Sequence, residues 1–382
     1  MVVRNVCIMD KKYYNHALLD LYSDYLLSSF GHTTATGLSE LLDGHISHDQ
    51  VSRFLRFDTL TSADLWSAVK PLVRHVESDE AVMVIDDSLL DKPYTDESEL
   101  VCWHWDHTQG ASIKGINLLT ALYFSPVGPG VSVPVAFELV TKPERFTDPK
   151  TGQEKRRSRE TKNDLYRKML KTCVENHIPF GYVVNDIWYS AAENMRFIKE
   201  TLKRDFVMPL KSNRKVALSE EDKRAGVYQS LSQLELAATL HLDGRCCVSP
   251  TVSVWLEGVP FALQLCKQVF TNEDGSQGIV YLVTSDTKLS AQQLTAIYQK
   301  RWKVEEYHKS LKSNVSLEKS PTKTVRTQTN HIFSSLYAYV KLEKMRIHTR
   351  LNHFAMKAKL YMAATRSAFE QLHLMQANCS TA

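Results

Sequence analysis

Tyr298-Gln-Lys-Arg-Trp-Lys-Val-Glu-Glu-Tyr-His-Lys-Ser-Leu-Lys312 carries a polar stripe at helical spacing. Tyr298, Arg301, Glu305, Lys309 and Lys312 follow one another at intervals of 3, 4, 4 and 3. At ~100° per residue all five fall within an arc of roughly 80° on one side of a helix. Ile297, Val304 and Leu311 repeat at heptad spacing, about 100° round from that stripe, and are expected to form the buried face. Phase also separates two adjacent acids. Glu305 lies in the polar stripe, whereas Glu306 points about 100° away. An ordinary solvated face with i,i+4 pairs such as Glu305–Lys309 accounts for the charges, but not for the aligned Tyr298 and Arg301. One carboxylate among four phosphate-contacting groups suggests a helix that presents a metal-binding oxygen to a nucleic-acid backbone.

The rest of the chain sets the frame for this helix. Its 382 residues suffice for two or three structural units. A formal net charge of +4 is compatible with nucleic acid without requiring it. Seven cysteines, scattered and without a CxxC pair, argue against a disulfide framework or a zinc module and for a reducing cytosol. Cys102, His104 and His107 resemble a metal cluster, but no second half at suitable spacing accompanies them. The longest apolar stretch, Leu118 to Phe124, is too short to span a bilayer, so no membrane partner and a cytoplasmic location are expected.

Periodicity divides the sequence into five parts. Residues 1–75 read as helices. Within them two short helices flank the turn Asp43-Gly-His-Ile-Ser, with Ser47 as N-cap of the second. This is the outline of a helix-turn-helix, and equally of a plain helical hairpin. Residues 76–212 alternate strands and helices. Ala81–Ile85, Gly115–Phe124 and Val131–Val140 read as strands, then a helix Thr161–Asn176, a strand Phe180–Val184, a helix Ser190–Lys203 and a strand Phe206–Leu210. Residues 213–284 read as a β-rich insertion, residues 285–325 hold the opening helix, and residues 326–382 are helical. The expected class is α/β: a mixed sheet flanked by helices, interrupted by the insertion.

Two acidic positions follow apolar strands: Asp86 or Asp87 after Ala81–Ile85, and Asp186 after Phe180–Val184. A single aspartate there is usually a turn former. Two of them together with Glu305 form a donor set of three carboxylates, which suits Mg²⁺ completed by substrate phosphate. A basic run, Lys155, Arg156, Arg157, Arg159 and Lys162, reads either as a DNA track or as a solvated loop.

At this point the residues resemble a family. Tyr298-x2-Arg301-x3-Glu305-x6-Lys312 matches, without a gap, the YREK signature of DDE transposases from bacterial insertion sequences. Val184-Asn-Asp186 with Trp188-Tyr189 is similar to the segment around that family's second aspartate. Val84-Ile-Asp86-Asp87-Ser88 is similar to the first, and favours Asp86 over Asp87. The resemblance covers roughly residues 35 to 345. It implies a ribonuclease-H-like core, an N-terminal DNA-binding unit, and Asp86, Asp186 and Glu305 as catalytic metal ligands for Mg²⁺, with Mn²⁺ as a substitute. It also implies that Tyr298, Arg301, Lys309 and Lys312 hold phosphates of double-stranded DNA, at transposon ends and target. Trp302 is expected either to stack on a base or to pack. A homodimer bridging two ends in a bacterial, nucleoid-associated setting follows from the same resemblance. Some relatives stack a flipped base on a tryptophan of the insertion, where this chain has Trp255 alone. The competing expectations are a structure-specific nuclease without strand transfer, and a catalytically silent DNA-binding regulator.

Overall fold

The computed structural model describes residues 11–106, 109–243 and 246–380. Four helices come first: α1 (Lys11–Ser28), α2 (Ala35–Leu41), α3 (His48–Arg56) and α4 (Ser62–His75). The Thr34 hydroxyl caps α2, and Ser47 caps α3 in a reciprocal box with Gln50. Val51, Phe54 and Leu55 bury the inner face of α3, while Arg53 and Arg56 face solvent. The Asn330 amide fixes the end of this helix, donating to the Leu55 and Asp58 carbonyls and accepting from the Leu60 N–H.

The central sheet is built next. β1 (Val82–Asp91), β2 (Cys102–Asp106), β3 (Ala111–Ser125) and β4 (Val131–Leu139) are joined antiparallel, with β1, β2 and β4 all pairing with β3. Gly115 is required where β3 meets β1, because a Cβ there would collide with the Leu90 carbonyl oxygen. A separate hairpin, β5 (Glu144–Thr147) and β6 (Glu154–Arg157), precedes α5 (Lys162–Glu175). β7 (Tyr182–Asn185), α6 (Ala192–Arg196) and β8 (Asp205–Leu210) then return the chain to the sheet. Here β7 runs parallel to β1 and β8 parallel to β7. The resulting order, β4–β3–β1–β7–β8, is the ribonuclease-H-like arrangement.

β9 (Lys215–Ala217), α7 (Glu220–Ala225), β10 (Gln229–Ser230), β11 (Leu240–Asp243), β12 (Cys246–Val248), β13 (Val252–Leu256), β14 (Leu263–Thr271) and β15 (Gln277–Thr284) follow. β15 pairs antiparallel with β8, so this region continues the central sheet. α8 (Ala291–Gln299), α9 (Trp302–Asn314), α10 (Val325–Thr349) and α11 (His353–Ser380) complete the described chain. Among the described residues no helix is long and apolar enough to cross a membrane.

The structure corrects several sequence expectations. The first strand does not stop before Asp86 but runs to Asp91, held by β3 throughout; the polar triplet 86–88 mimics a strand end. β3 begins at Ala111, upstream of Gly115, and Cys102–Asp106 forms a strand to which the sequence reading assigned no element. Within the β-rich region 213–284, β12 and β13 stay separate strands, since Pro250 between them has no N–H to give the ladder. The opening helix is two segments. Lys300 and Arg301 keep right-handed helical torsions. Around them, however, the backbone closes i→i+3 bonds, from Lys300 to Ile297 and from Arg301 to Tyr298.

Candidate active site

Parallel pairing of β1 with β7 ends at Ile85 opposite Asn185. One residue later each strand presents an aspartate, Asp86 and Asp186, at the carboxyl edge of the parallel strands, where ligands are commonly received. Glu305 arrives from α9. That helix cannot rotate freely, because Val304, Tyr307 and Leu311 are buried beneath it, each contributing about 2 kcal/mol. Asp86, Asp186 and Glu305 line one cavity of about 710 Å³, together with Lys309 and Lys312. Glu306 does not line it; it faces away and pairs with Lys303 at 2.9 Å.

The two neighbouring aspartates of β1 stand in different environments. Asp87 accepts from Asn117 Nδ2 at 2.6 Å, Lys162 Nζ at 2.7 Å and the Tyr189 hydroxyl at 2.5 Å. Burial alone would raise its pKa, but Lys162 and the other donors hold it below the usual range. Asp86 accepts the Asp87 backbone N–H at 2.9 Å. Burial, then repulsion from Asp87, Asp186 and Glu305, push its carboxyl up to about 7. Asp87 is therefore saturated, and Asp86 is the carboxylate left short of positive charge.

This asymmetry has a measurable consequence. In the unfolded chain the Asp86 carboxyl ionises near pH ~4, and in the fold near pH 7. Between those values the fold retains a proton that the unfolded chain has lost, so stability falls as pH rises through the window. Asp86→Asn is expected to stabilise the metal-free protein at pH 8, by on the order of 2 kcal/mol given an open, solvated cavity. The gain should vanish by pH 4. Urea unfolding across that range tests this, and a variant no more stable than the parent at pH 8 contradicts it.

The remaining stripe residues stand around Glu305. Arg301 Nη1 reaches Glu305 at 3.2 Å, and the guanidinium carbon Cζ lies 5.8 Å from the Tyr298 ring centroid. Burial pushes the Tyr298 hydroxyl up to about 12, against the pull of Arg301 and with the help of Asp186 and Asp86. Lys312 donates to the Leu89 carbonyl and pairs with Glu318, both at 3.2 Å. Lys309 lies 5.4 Å from the Phe354 ring centroid. Trp302 is 61% exposed and does not line the cavity.

Sequence reading missed several lining residues. Asn117 interrupts the apolar run of β3, and that interruption is a signal that could have been used. Tyr189 is buried and links Asp87 to the turn after Asp186. His308 is buried beside Lys309, and its pKa is pushed down to about 4 by that burial. Of the basic run only Lys162 lines the cavity; Arg156 pairs with Glu97, Arg157 and Arg159 with Glu144, and Lys155 with Asp148. Cys102 Sγ lies 3.2 Å from His104 Nε2, while His107 lies outside the described residues. Trp255 sits on β13 opposite Ala217, away from the cavity.

As the side chains stand, Glu305 is drawn to Arg301. Among the described residues no three His, Cys, Asp or Glu groups are gathered tightly enough to hold a metal ion. Two family models match the chain. One, described as DDE superfamily endonuclease, covers residues 8–231, and the other, described as transposase DDE domain, covers residues 151–341. Each spans half of the chain or more, and together they include Asp86, Asp186 and Glu305. No curated protein matches the chain.

Proposed function

The chain belongs to the DDE transposase family, and on that premise we propose that it cuts DNA at the ends of a transposable element and joins the freed 3′-OH to target DNA. The observation that carries this reading is the single cavity lined by Asp86, Asp186 and Glu305 from three separate elements, with Lys309 and Lys312 beside them.

Enzymes of this superfamily generally use divalent metal ions. We assign Asp86, Asp186 and Glu305 as the ligands and Mg²⁺ as the ion, replaceable by Mn²⁺. The donor set fits: it consists of hard carboxylate oxygens, and the repulsion that raises Asp86 is what a dication relieves. Glu305 would exchange its Arg301 contact for the ion. When bound, such ions activate the attacking oxygen and stabilise the leaving oxygen of an in-line displacement at phosphorus.

The chain's own residues do the rest. Arg301, Lys309 and Lys312 carry positive charge to the phosphates, and Arg301 is shaped for bidentate contact. The Tyr298 hydroxyl stays protonated at neutral pH, so it would donate a hydrogen bond to a phosphate oxygen. These contacts position DNA without reading its sequence. Asp87 acts through Tyr189, tying the turn that follows Asp186 to β1. In the first step a water oxygen bonds to phosphorus and the bond to the 3′ oxygen breaks, leaving a 3′-OH. In the second, that 3′ oxygen bonds to a target phosphorus while one target phosphodiester bond breaks. Bond numbers balance in both steps, so neither a protein–DNA link nor ATP is needed.

The exposed Arg53 and Arg56 of α3 support the helix-turn-helix as a DNA-binding unit. An active complex of two copies, one at each end, completes the reading. It is supported by Tyr361, Phe369, Leu372 and Met375, which α11 leaves exposed. A strand-transfer assay with pre-cleaved ends and Mg²⁺ is the test. Joined products are expected; hydrolysis without joining would instead assign a structure-specific nuclease, and binding without either would assign a silent regulator.

A further inference from the structure

A second surface leads away from the carboxylate cavity, and its first residue is Trp188. This side chain lines the cavity of Asp86, Asp186 and Glu305, and also a neighbouring cavity of about 190 Å³ that includes Lys211 and Arg214. Trp188 therefore forms the wall between the two. It is 49% exposed, although its neighbour Tyr189 is buried. The turn that carries it is rigidly held: the Tyr189 hydroxyl donates to Asp87, and Asn194 Nδ2 donates to the Tyr189 carbonyl at 2.9 Å.

Lys211 Nζ lies 4.3 Å from the centroid of the Trp188 ring. Lys211 lines the second cavity and not the first. Among the described residues no carboxylate lines that second cavity. Arg214 also lines a third cavity, with Lys215 and Glu257, so a run of cations continues beyond β8 with one acid near its end. Trp105, 57% exposed on β2, is another indole on the wall of the carboxylate cavity.

Exposed aromatic faces alternating with cations suit an unpaired nucleic-acid strand, because bases stack on the rings while the cations follow the phosphates. Bases inside a duplex are already stacked and cannot reach an indole face. We propose that Trp188, Lys211 and Arg214 form a binding track for single-stranded DNA, with an unpaired base stacked on Trp188 and the adjoining phosphates on Lys211 and Arg214. This rests on the reading of the carboxylate cavity as a DNA-cutting site, and it gives that site a path for a strand separated from its partner.

The test is equilibrium binding by the full chain in chelator, so that cleavage plays no part. Two probes are compared: a blunt duplex, and the same duplex with a short single-stranded extension. The parent should prefer the extended probe. Trp188→Ala should lose roughly 5- to 150-fold in affinity for that probe, the range for one stacked base, with blunt-duplex binding unchanged. Trp188→Phe should keep most of the preference, because a stacking face remains. Lys211→Glu, on an exposed turn, should weaken the extended probe selectively, and serves if Trp188→Ala fails to fold. A parent that binds both probes equally overturns the proposal. So does a preference that survives Trp188→Ala or Lys211→Glu. Because binding is read without metal, failure here leaves metal-dependent cleavage standing, and absence of cleavage leaves this result intact.

Discussion

Glu305→Gln is expected to lower metal-dependent DNA cleavage by roughly a thousandfold or more, the scale seen when one member of a cooperating catalytic unit is removed. Glu306→Gln should leave the rate within about twofold, as surface changes usually do. The two positions are adjacent in sequence and differ only in where α9 turns them. Glu305 lines the cavity with Asp86 and Asp186, whereas Glu306 faces away and pairs with Lys303. Glutamine at 305 keeps the side-chain length and an oxygen that can accept from Arg301, so the loss would follow from the missing charge and not from misfolding. Rates for both variants at one Mg²⁺ concentration, beside their melting temperatures, make the comparison. Equal rates, or a larger loss at 306, would mean that the carboxylate facing the DNA has been misassigned.

The rotation of α9 was legible in sequence because burial enforces it. Val304 and Leu311, the apolar positions seven apart, are fully buried, and this puts Glu305 where the spacing placed it. The main core strands were legible for a similar reason, since runs such as Val82–Ile85 and Leu118–Tyr123 have no charged residue to present to solvent. What sequence could not give was pairing across the sheet. β1 runs on beyond Asp86 because β3 supplies a partner there, a contact that no local pattern announces. Asp86 and Asp87 looked nearly equivalent for the same reason. Their difference comes from Asn117, Lys162 and Tyr189, which lie 30, 75 and 102 residues away along the chain. The break between α8 and α9 also escaped, because Lys300 and Arg301 are good helix formers and nothing in their chemistry predicts i→i+3 bonds.

Asp186→Asn should abolish cleavage to a similar degree while leaving DNA binding near the parent level. The carboxylate of Asp186 accepts from the Ile187 N–H at the start of the turn that carries Trp188 and Tyr189. Alanine would remove that cap at a cost of about 1 kcal/mol, and any lost activity could then reflect a loosened turn. Asparagine keeps an oxygen for the Ile187 N–H and removes only the negative charge. On the proposed reading, binding would rest on cations and on the N-terminal helices, which this change does not touch, and it should still fall steeply with salt, as phosphate contacts require. The most direct measurement is therefore a paired one, with parent and Asp186→Asn assayed on the same end-containing duplex with Mg²⁺, scoring both bound and nicked DNA. The site described above predicts equal binding, with nicking that exposes a 3′-OH by the parent alone. Nicking by Asp186→Asn at a rate near the parent's would contradict it.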